Sequence, residues 1–241
     1  MILSDFIDLL YPNRCCGCLN MLGRGEKILC MDCYQQLPFT GFEKERLNPV
    51  SNELFGRVPL QNACVVFYFV RNGLLQKMLH LLKYGGNRDI GIFLGELLGQ
   101  NLAATGKSEA NVITGSDYSN IDFIIPVPIS SKKEKLRGYN QAAVIAEGMQ
   151  KYIKKPILKN VLIKPSSGES QTKKDRYERY ENMLEGFALC NDQNLLQTLK
   201  NKHILIVDDV ITTGATIESC AKELLKIENI TLSAIAVAAP E

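Results

Sequence analysis

Residues 204–207 form an unbroken apolar run, the pattern of a short strand buried on both faces of a parallel sheet. Acidic, hydroxylated and small residues follow. Then Ile217, Cys220, Ala221, Leu224 and Leu225 recur at i, i+3, i+4 spacing, which predicts a helix over 217–227. The same alternation runs upstream. Apolar runs predict strands over 64–70, 121–127 and 230–238, with short candidates over 161–163 and 187–189. Helical spacing predicts helices over 74–82, stopped by Gly85 and Gly86, over 90–102, and over about 140–153. Strands alternating with helices imply an α/β fold with a mostly parallel sheet. Residues 37–59 hold Pro38, Gly41, Pro49, Gly56 and Pro59 without a period and read as irregular. Three parts are therefore expected: a head over 1–45 that opens on a short helix, a linker over 46–61, and the α/β domain over 62–241.

Composition excludes more than it selects. The 241 residues suffice for one sizeable domain and a small one. A net charge of +2 is too small to argue for nucleic-acid binding by itself. No apolar run approaches the roughly eighteen residues of a membrane span. The opening segment MILSDFIDLLYP lacks a basic region and carries Asp5 and Asp8, so it reads as an amphipathic helix rather than a signal peptide. The expected compartment is cytoplasmic.

Chemistry concentrates in ILIVDDVITTGAT, residues 204–216. The order is strand, acidic pair, small-residue loop, helix start. Unpaired N–H groups and the positive dipole end converge at a helix N-terminus and favour a phosphate. Gly214 lets the backbone come close, and Thr212, Thr213 and Thr216 add hydroxyl donors beside Ala215. Asp208 and Asp209 can accept hydrogen bonds from a vicinal diol or help hold Mg²⁺. A sugar 5-phosphate suits this loop, and a Walker G-x-x-x-x-G-K-[ST] sequence is absent.

A second centre lies near the N-terminus. Cys15 with Cys18, and Cys30 with Cys33, make two C-x-x-C pairs. Four thiolates on two knuckles match tetrahedral structural zinc. So small a unit would draw its folding energy from the metal. Cys16 is an alternative to Cys15, and redox chemistry is an alternative to zinc. Cys64, Cys190 and Cys220 fall in apolar patterns and read as core thiols.

Two further segments carry charge. IPVPISSKKEKLRGYNQA, residues 125–142, leads a strand into a basic loop with Lys132, Lys133, Lys135 and Arg137. Open α/β sheets gather ligands at the carboxyl ends of their strands, so this loop is placed for a second anion. Residues 167–187, polar and basic, read as a flap over such a site.

ILIVDDVITTGAT resembles the phosphoribosyl pyrophosphate (PRPP) motif of type I phosphoribosyltransferases. With the four-cysteine head, LKYGGN, PVP, RGYNQA and SQT in that order, nearly the whole chain resembles the ComF family of competence-associated, phosphoribosyltransferase-like proteins. That family carries phenylalanine at the position of Tyr139. The resemblance implies a phosphoribosyltransferase-like domain over 62–241 that binds PRPP with Mg²⁺. The 212–216 loop would hold the 5-phosphate, and Asp208 and Asp209 the ribose. Arg137 and the backbone near Pro128 and Ile129 would take the pyrophosphate side, with Lys173, Lys174 and Arg176 arriving from the flap. Phosphoribosyl transfer with loss of pyrophosphate is the implied reaction. The rival reading is a PRPP or nucleotide sensor without turnover, or a protein that binds single-stranded DNA or a competence helicase.

Overall fold

The computed structural model describes residues 13–105, 118–165 and 186–240. In chain order its elements are α1 (Met31–Gln35), a 3₁₀ turn (Phe42–Lys44), α2 (Pro49–Leu54), β1 (Asn62–Phe69), α3 (Leu74–Tyr84), α4 (Arg88–Thr105), β2 (Phe123–Pro126), α5 (Ser131–Arg137), α6 (Gln141–Met149), β3 (Leu162–Ile163), β4 (Ala188–Leu189), α7 (Gln193–Thr198), β5 (His203–Val210), α8 (Ala215–Leu224) and β6 (Thr231–Pro240). The four long strands form one parallel sheet in the order β1-β6-β5-β2. β3 and β4 make a separate antiparallel pair. The expected α/β class with a mostly parallel sheet is what the chain adopts.

Side chains alternate across a strand, and here the alternation divides the sheet into two cores. Leu205, Val207, Ile235, Val237, Cys64 and Val66 face α3, α4 and α6 through Leu75, Met78, Leu94, Leu98, Ile145 and Met149. Ile204, Ile206, Ala234, Ala236, Ala63 and Val65 face α2 and α8 through Val50, Leu54, Ile217, Cys220 and Leu224. Both faces are buried, which is why residues 204–207 lack a polar alternation.

Three readings change. The segment expected as a basic loop is helix α5, started by the Ser130 hydroxyl, which accepts from the Lys133 N–H, and ended by Gly138 at φ +80°. Residues 46–61, expected as a linker, contain α2. Its start is capped by Asn48, which accepts from the Val50 and Ser51 N–H groups while Ser51 Oγ accepts from Asn48 N. Strand β5 runs on through both aspartates to Val210, with Asp208 opposite Ala236. The opening helix and most of the 167–187 flap lie outside the described residues.

The cysteine-rich head belongs to the first core rather than standing apart. Cys15, Leu29, Cys33 and Leu37 are buried in the same cluster as Phe67, Leu75 and Met78. Phe39 lies 4.7 Å from the Phe67 ring, and Lys77 of α3 donates to the Gly17 carbonyl at 3.0 Å. Among the described residues, no helix is long and apolar enough to cross a membrane.

Candidate functional site

β2 and β5 are hydrogen-bonded neighbours in register, with Pro126 opposite Val207. The segments that follow them, 127–130 and 211–216, therefore emerge together with the last residues of β5 at the carboxyl end of the sheet. Between them lies a cavity of about 200 Å³. Of the residues singled out in the sequence, Pro128, Ile129, Arg137, Asp208, Asp209 and Thr216 line it. Lys83, from LKYGGN, and Lys133 also line it, as does Lys164, which belongs to no motif read in the sequence.

The acidic pair has an internal structure. Asp208 is buried, and its Oδ1 accepts from the Asp209 N–H at 2.8 Å. Burial, followed by the neighbouring Asp209 charge, pushes the Asp208 carboxyl up to about 8, against the opposing pull of that N–H and of Lys83. Asp209 Oδ2 meets Lys83 Nζ at 2.7 Å. Lys83 sits in the last turn of α3, where a cation suits the helix dipole. Two carboxylates side by side are thus tolerated because one is partnered by an ammonium and the other keeps its proton.

Cations line the cavity as well. Lys133 and Arg137 stand one turn apart on α5 and both reach the cavity. Arg137 Nη1 donates to Gln141 Oε1 at 2.7 Å, and its guanidinium lies 5.5 Å from the centre of the Tyr84 ring. Arg137 Nε is buried without a hydrogen-bond partner among the described residues. Asn140 clamps the floor: its Nδ2 donates to the Val127 carbonyl at 2.9 Å, and its Oδ1 accepts from the Ala142 N–H. Tyr139 Oη donates to the Leu82 carbonyl at 2.6 Å, one residue before Lys83. The hydroxyl that separates Tyr139 from phenylalanine therefore ties the RGYNQ segment to the helix that carries Lys83.

Of the 212–216 loop only Thr216 lines the cavity; Thr212, Thr213, Gly214 and Ala215 do not. Thr212 and Thr213 are exposed, while Gly214 is buried and stands at the N-cap of α8. Gly214 has φ +70°, and a Cβ there would lie 2.6 Å from Leu54 Cδ2. The left-handed conformation favours glycine, and any larger residue would also have to displace the Leu54 side chain. Lys173, Lys174 and Arg176 lie outside the described residues.

The cysteine cluster is compact. The sulfurs of Cys15, Cys18, Cys30 and Cys33 all lie within 4.8 Å of one another, and those of Cys18 and Cys30 are 3.7 Å apart. A tetrahedral site with zinc–sulfur bonds of about 2.3 Å has sulfur–sulfur edges of about 3.8 Å. Backbone N–H groups of Gly17 and Cys30 point at Cys15 Sγ, at 3.4 and 3.3 Å. Burial raises the Cys15 thiol, but donors from Cys30, Cys18 and Gly17 outweigh it and lower the group to about 6. Burial and the neighbouring sulfurs push Cys33 up to about 12. Four thiols so close cannot all ionise without a cation among them, so the donor set fits a divalent soft metal. Cys16 is not part of the cluster.

Comparison with known proteins agrees with this architecture. Residues 137–240, from the last residue of α5 to the end of β6, match the phosphoribosyl transferase domain family. Competence protein F of Haemophilus influenzae is 31% identical over 106 residues, or 44% of this chain and 45% of that protein. Competence protein ComFC of Bacillus subtilis is 26% identical over 167 residues, 69% of this chain and 58% of that protein. The DNA utilization protein YhgH of Escherichia coli O157:H7 is 25% identical over 211 residues, 88% and 84% of the two chains. The matched stretch thus spans about half the length of the first two relatives. The parallel sheet and the matching domain define a phosphoribosyltransferase-like protein. Within that class, the head, the motif order and these relatives make the chain similar to the ComF family of competence proteins.

Proposed function

We propose that the cavity beside β2 and β5 binds PRPP with Mg²⁺ and that the chain transfers its phosphoribosyl group with release of pyrophosphate. The carrying observation is the mixed charge of one cavity, lined by Asp208 and Asp209 together with Lys133 and Arg137. A ligand with a hydroxylated centre and an anionic end has the matching polarity. Thr212, Thr213, Gly214, Ala215 and Thr216 hold the 5-phosphate through hydroxyls and the N-terminus of α8. Asp208 and Asp209 take the ribose hydroxyls. Arg137 serves the pyrophosphate side with the backbone at Pro128 and Ile129; its unpartnered Nε is a donor suited to an oxygen that the described residues do not supply. Lys173, Lys174 and Arg176 add cations on closure. Asp208 and Asp209 would help hold Mg²⁺, which when bound would supply charge neutralisation to the pyrophosphate. The protein's own task is to fix both anionic ends while positive charge develops on the ribose ring.

In the same reading, Cys15, Cys18, Cys30 and Cys33 hold one structural zinc, residues 1–45 form the head, and residues 62–241 form the phosphoribosyltransferase-like domain in the cytoplasm. The competence-named relatives support a role in handling incoming DNA, with single-stranded DNA or a competence helicase as partner. The test is pyrophosphate release from PRPP and Mg²⁺ across a panel of nucleobases and single-stranded DNA. Release that depends on one acceptor class is expected. PRPP binding without release under every acceptor would leave a sensor in place of an enzyme. Salt-sensitive binding of single strands that PRPP does not compete for would make these cations a DNA surface.

A further inference from the structure

The segment before β1 reaches the 5-phosphate loop directly. Arg57 Nη1 donates to the Thr213 carbonyl at 2.6 Å. Arg57 Nε donates to Glu218 Oε2 at 2.8 Å, and Nη2 bonds to the same oxygen. Leu54, 1% exposed, fills the space beside Gly214 where a Cβ would otherwise lie. These contacts join residues more than 150 positions apart. They approach the loop from the α2 side, and the phosphate side is left open, with Thr212 and Thr213 exposed.

We infer that Arg57 is a positioning residue for the 5-phosphate loop, acting through the Thr213–Gly214 peptide and through Glu218. Two physical consequences follow from the geometry. A trans peptide is planar, with its C=O and N–H on opposite sides. Drawing the Thr213 carbonyl toward Arg57 therefore turns the Gly214 N–H away from α2, toward the side where a phosphate can sit. The second consequence is electrostatic. Glu218 lies in the first turn of α8, where its charge would repel a phosphate bound at the same helix end. Arg57 and Lys222 both bind that carboxylate, and the hydrogen bonds from Lys222 and then from Arg57 hold it below the usual carboxylate range. The loop keeps a carboxylate close by because its charge is already balanced.

The inference rests on the phosphoribosyl reading of the site, and the two can fail separately. Ribose 5-phosphate and pyrophosphate are titrated into the unsubstituted protein, Arg57→Ala, Arg57→Lys, Glu218→Gln and the double variant, with thermal unfolding of each. Ribose 5-phosphate carries the phosphate that the loop would hold, and pyrophosphate does not. Arg57→Ala is expected to weaken ribose 5-phosphate by about tenfold or more, as for loss of a charge-assisted contact, and pyrophosphate by less than about twofold. Arg57→Lys keeps the charge and loses the fork, so it should fall between. Glu218→Gln alone should not weaken ribose 5-phosphate, and in the Arg57→Ala background it should restore part of the loss. A plain structural role would lower both ligands together and would not be relieved by removing a second contact. Equal losses, no loss, or no relief in the double variant would overturn the inference. Failure of the unsubstituted protein to bind ribose 5-phosphate would instead contradict the phosphoribosyl reading itself, and the inference with it.

Discussion

Asp208 carries the clearest consequence at the scale of single residues. Its carboxyl keeps a proton to about pH 8 in the folded chain and loses it near 3.9 when unfolded. Between those values the folded state holds the extra proton, so this group's contribution to stability falls as pH rises. Asparagine cannot ionise. Asp208→Asn should therefore gain on the unsubstituted protein as pH rises, by at least about 1 kcal/mol between about pH 5 and pH 8 in urea unfolding, since one unit of displacement is worth about 1.4 kcal/mol. A pH-independent difference would mean that Asp208 is ionised in the free protein. Gly214 gives a second test. A valine there meets both Leu54 and a positive φ, with expected costs of about 1–2 kcal/mol for conformation and about 1–3 kcal/mol for overpacking. Gly214→Val should thus lower stability as well as ligand binding, where a purely phosphate-facing clash would spare stability. Residues 208–216 were legible because strand, acids and loop are contiguous. Lys83 was visible as a lysine at a glycine turn, but its pairing with Asp209 was not, since they meet only because α3 and β5 pack together.

Among the elements, α4 and α6 pack backbone to backbone. A Cβ on Gly95 would lie 2.0 Å from the Ile145 carbonyl oxygen, and one on Gly148 would lie 2.1 Å from that of Ile92. Neither neighbour is a flexible side-chain end. Gly95→Ala and Gly148→Ala should each destabilise by more than about 2 kcal/mol in spite of alanine's better helix propensity. Neutral substitutions in urea unfolding would contradict so close a crossing. This contact positions the site, because α6 begins at the Asn140 clamp on Val127. The long helices were legible from their apolar spacing. α5 was not, since its seven residues SKKEKLR contain one apolar side chain and give no stripe to read. α2 was hidden by its shortness and by the Pro49 that begins it, although proline at a first helical turn is favourable.

Over the whole molecule, the head and the sheet share one apolar cluster. The expectation from sequence was a metal-dependent unit with its own source of stability. Burial of Cys15 and Cys33 against the α3 core instead links the two. Protein purified without added metal should carry about one zinc per chain by elemental analysis, from the four-ligand donor set. Cys30→Ser should lose that zinc and also lower the unfolding temperature of the entire chain in one transition, because the head covers Leu75 and Met78. A separate low-temperature transition, with the sheet unaffected, would restore the independent head. Such sharing is not legible from cysteine spacing, which reports ligand geometry and nothing of what the knuckles lean on.

The central claim is that one cavity holds both ends of a phosphoribosyl pyrophosphate. Calorimetric titration of PRPP with Mg²⁺, and of ribose 5-phosphate, into the unsubstituted protein, Asp209→Asn and Arg137→Ala tests it most directly. Both ligands should bind the unsubstituted protein. Asp209→Asn should weaken both, and Arg137→Ala should weaken PRPP alone, by about ten- to a hundredfold for each lost charge-assisted contact. Absence of PRPP binding, or equal loss of both ligands in Arg137→Ala, would contradict the account.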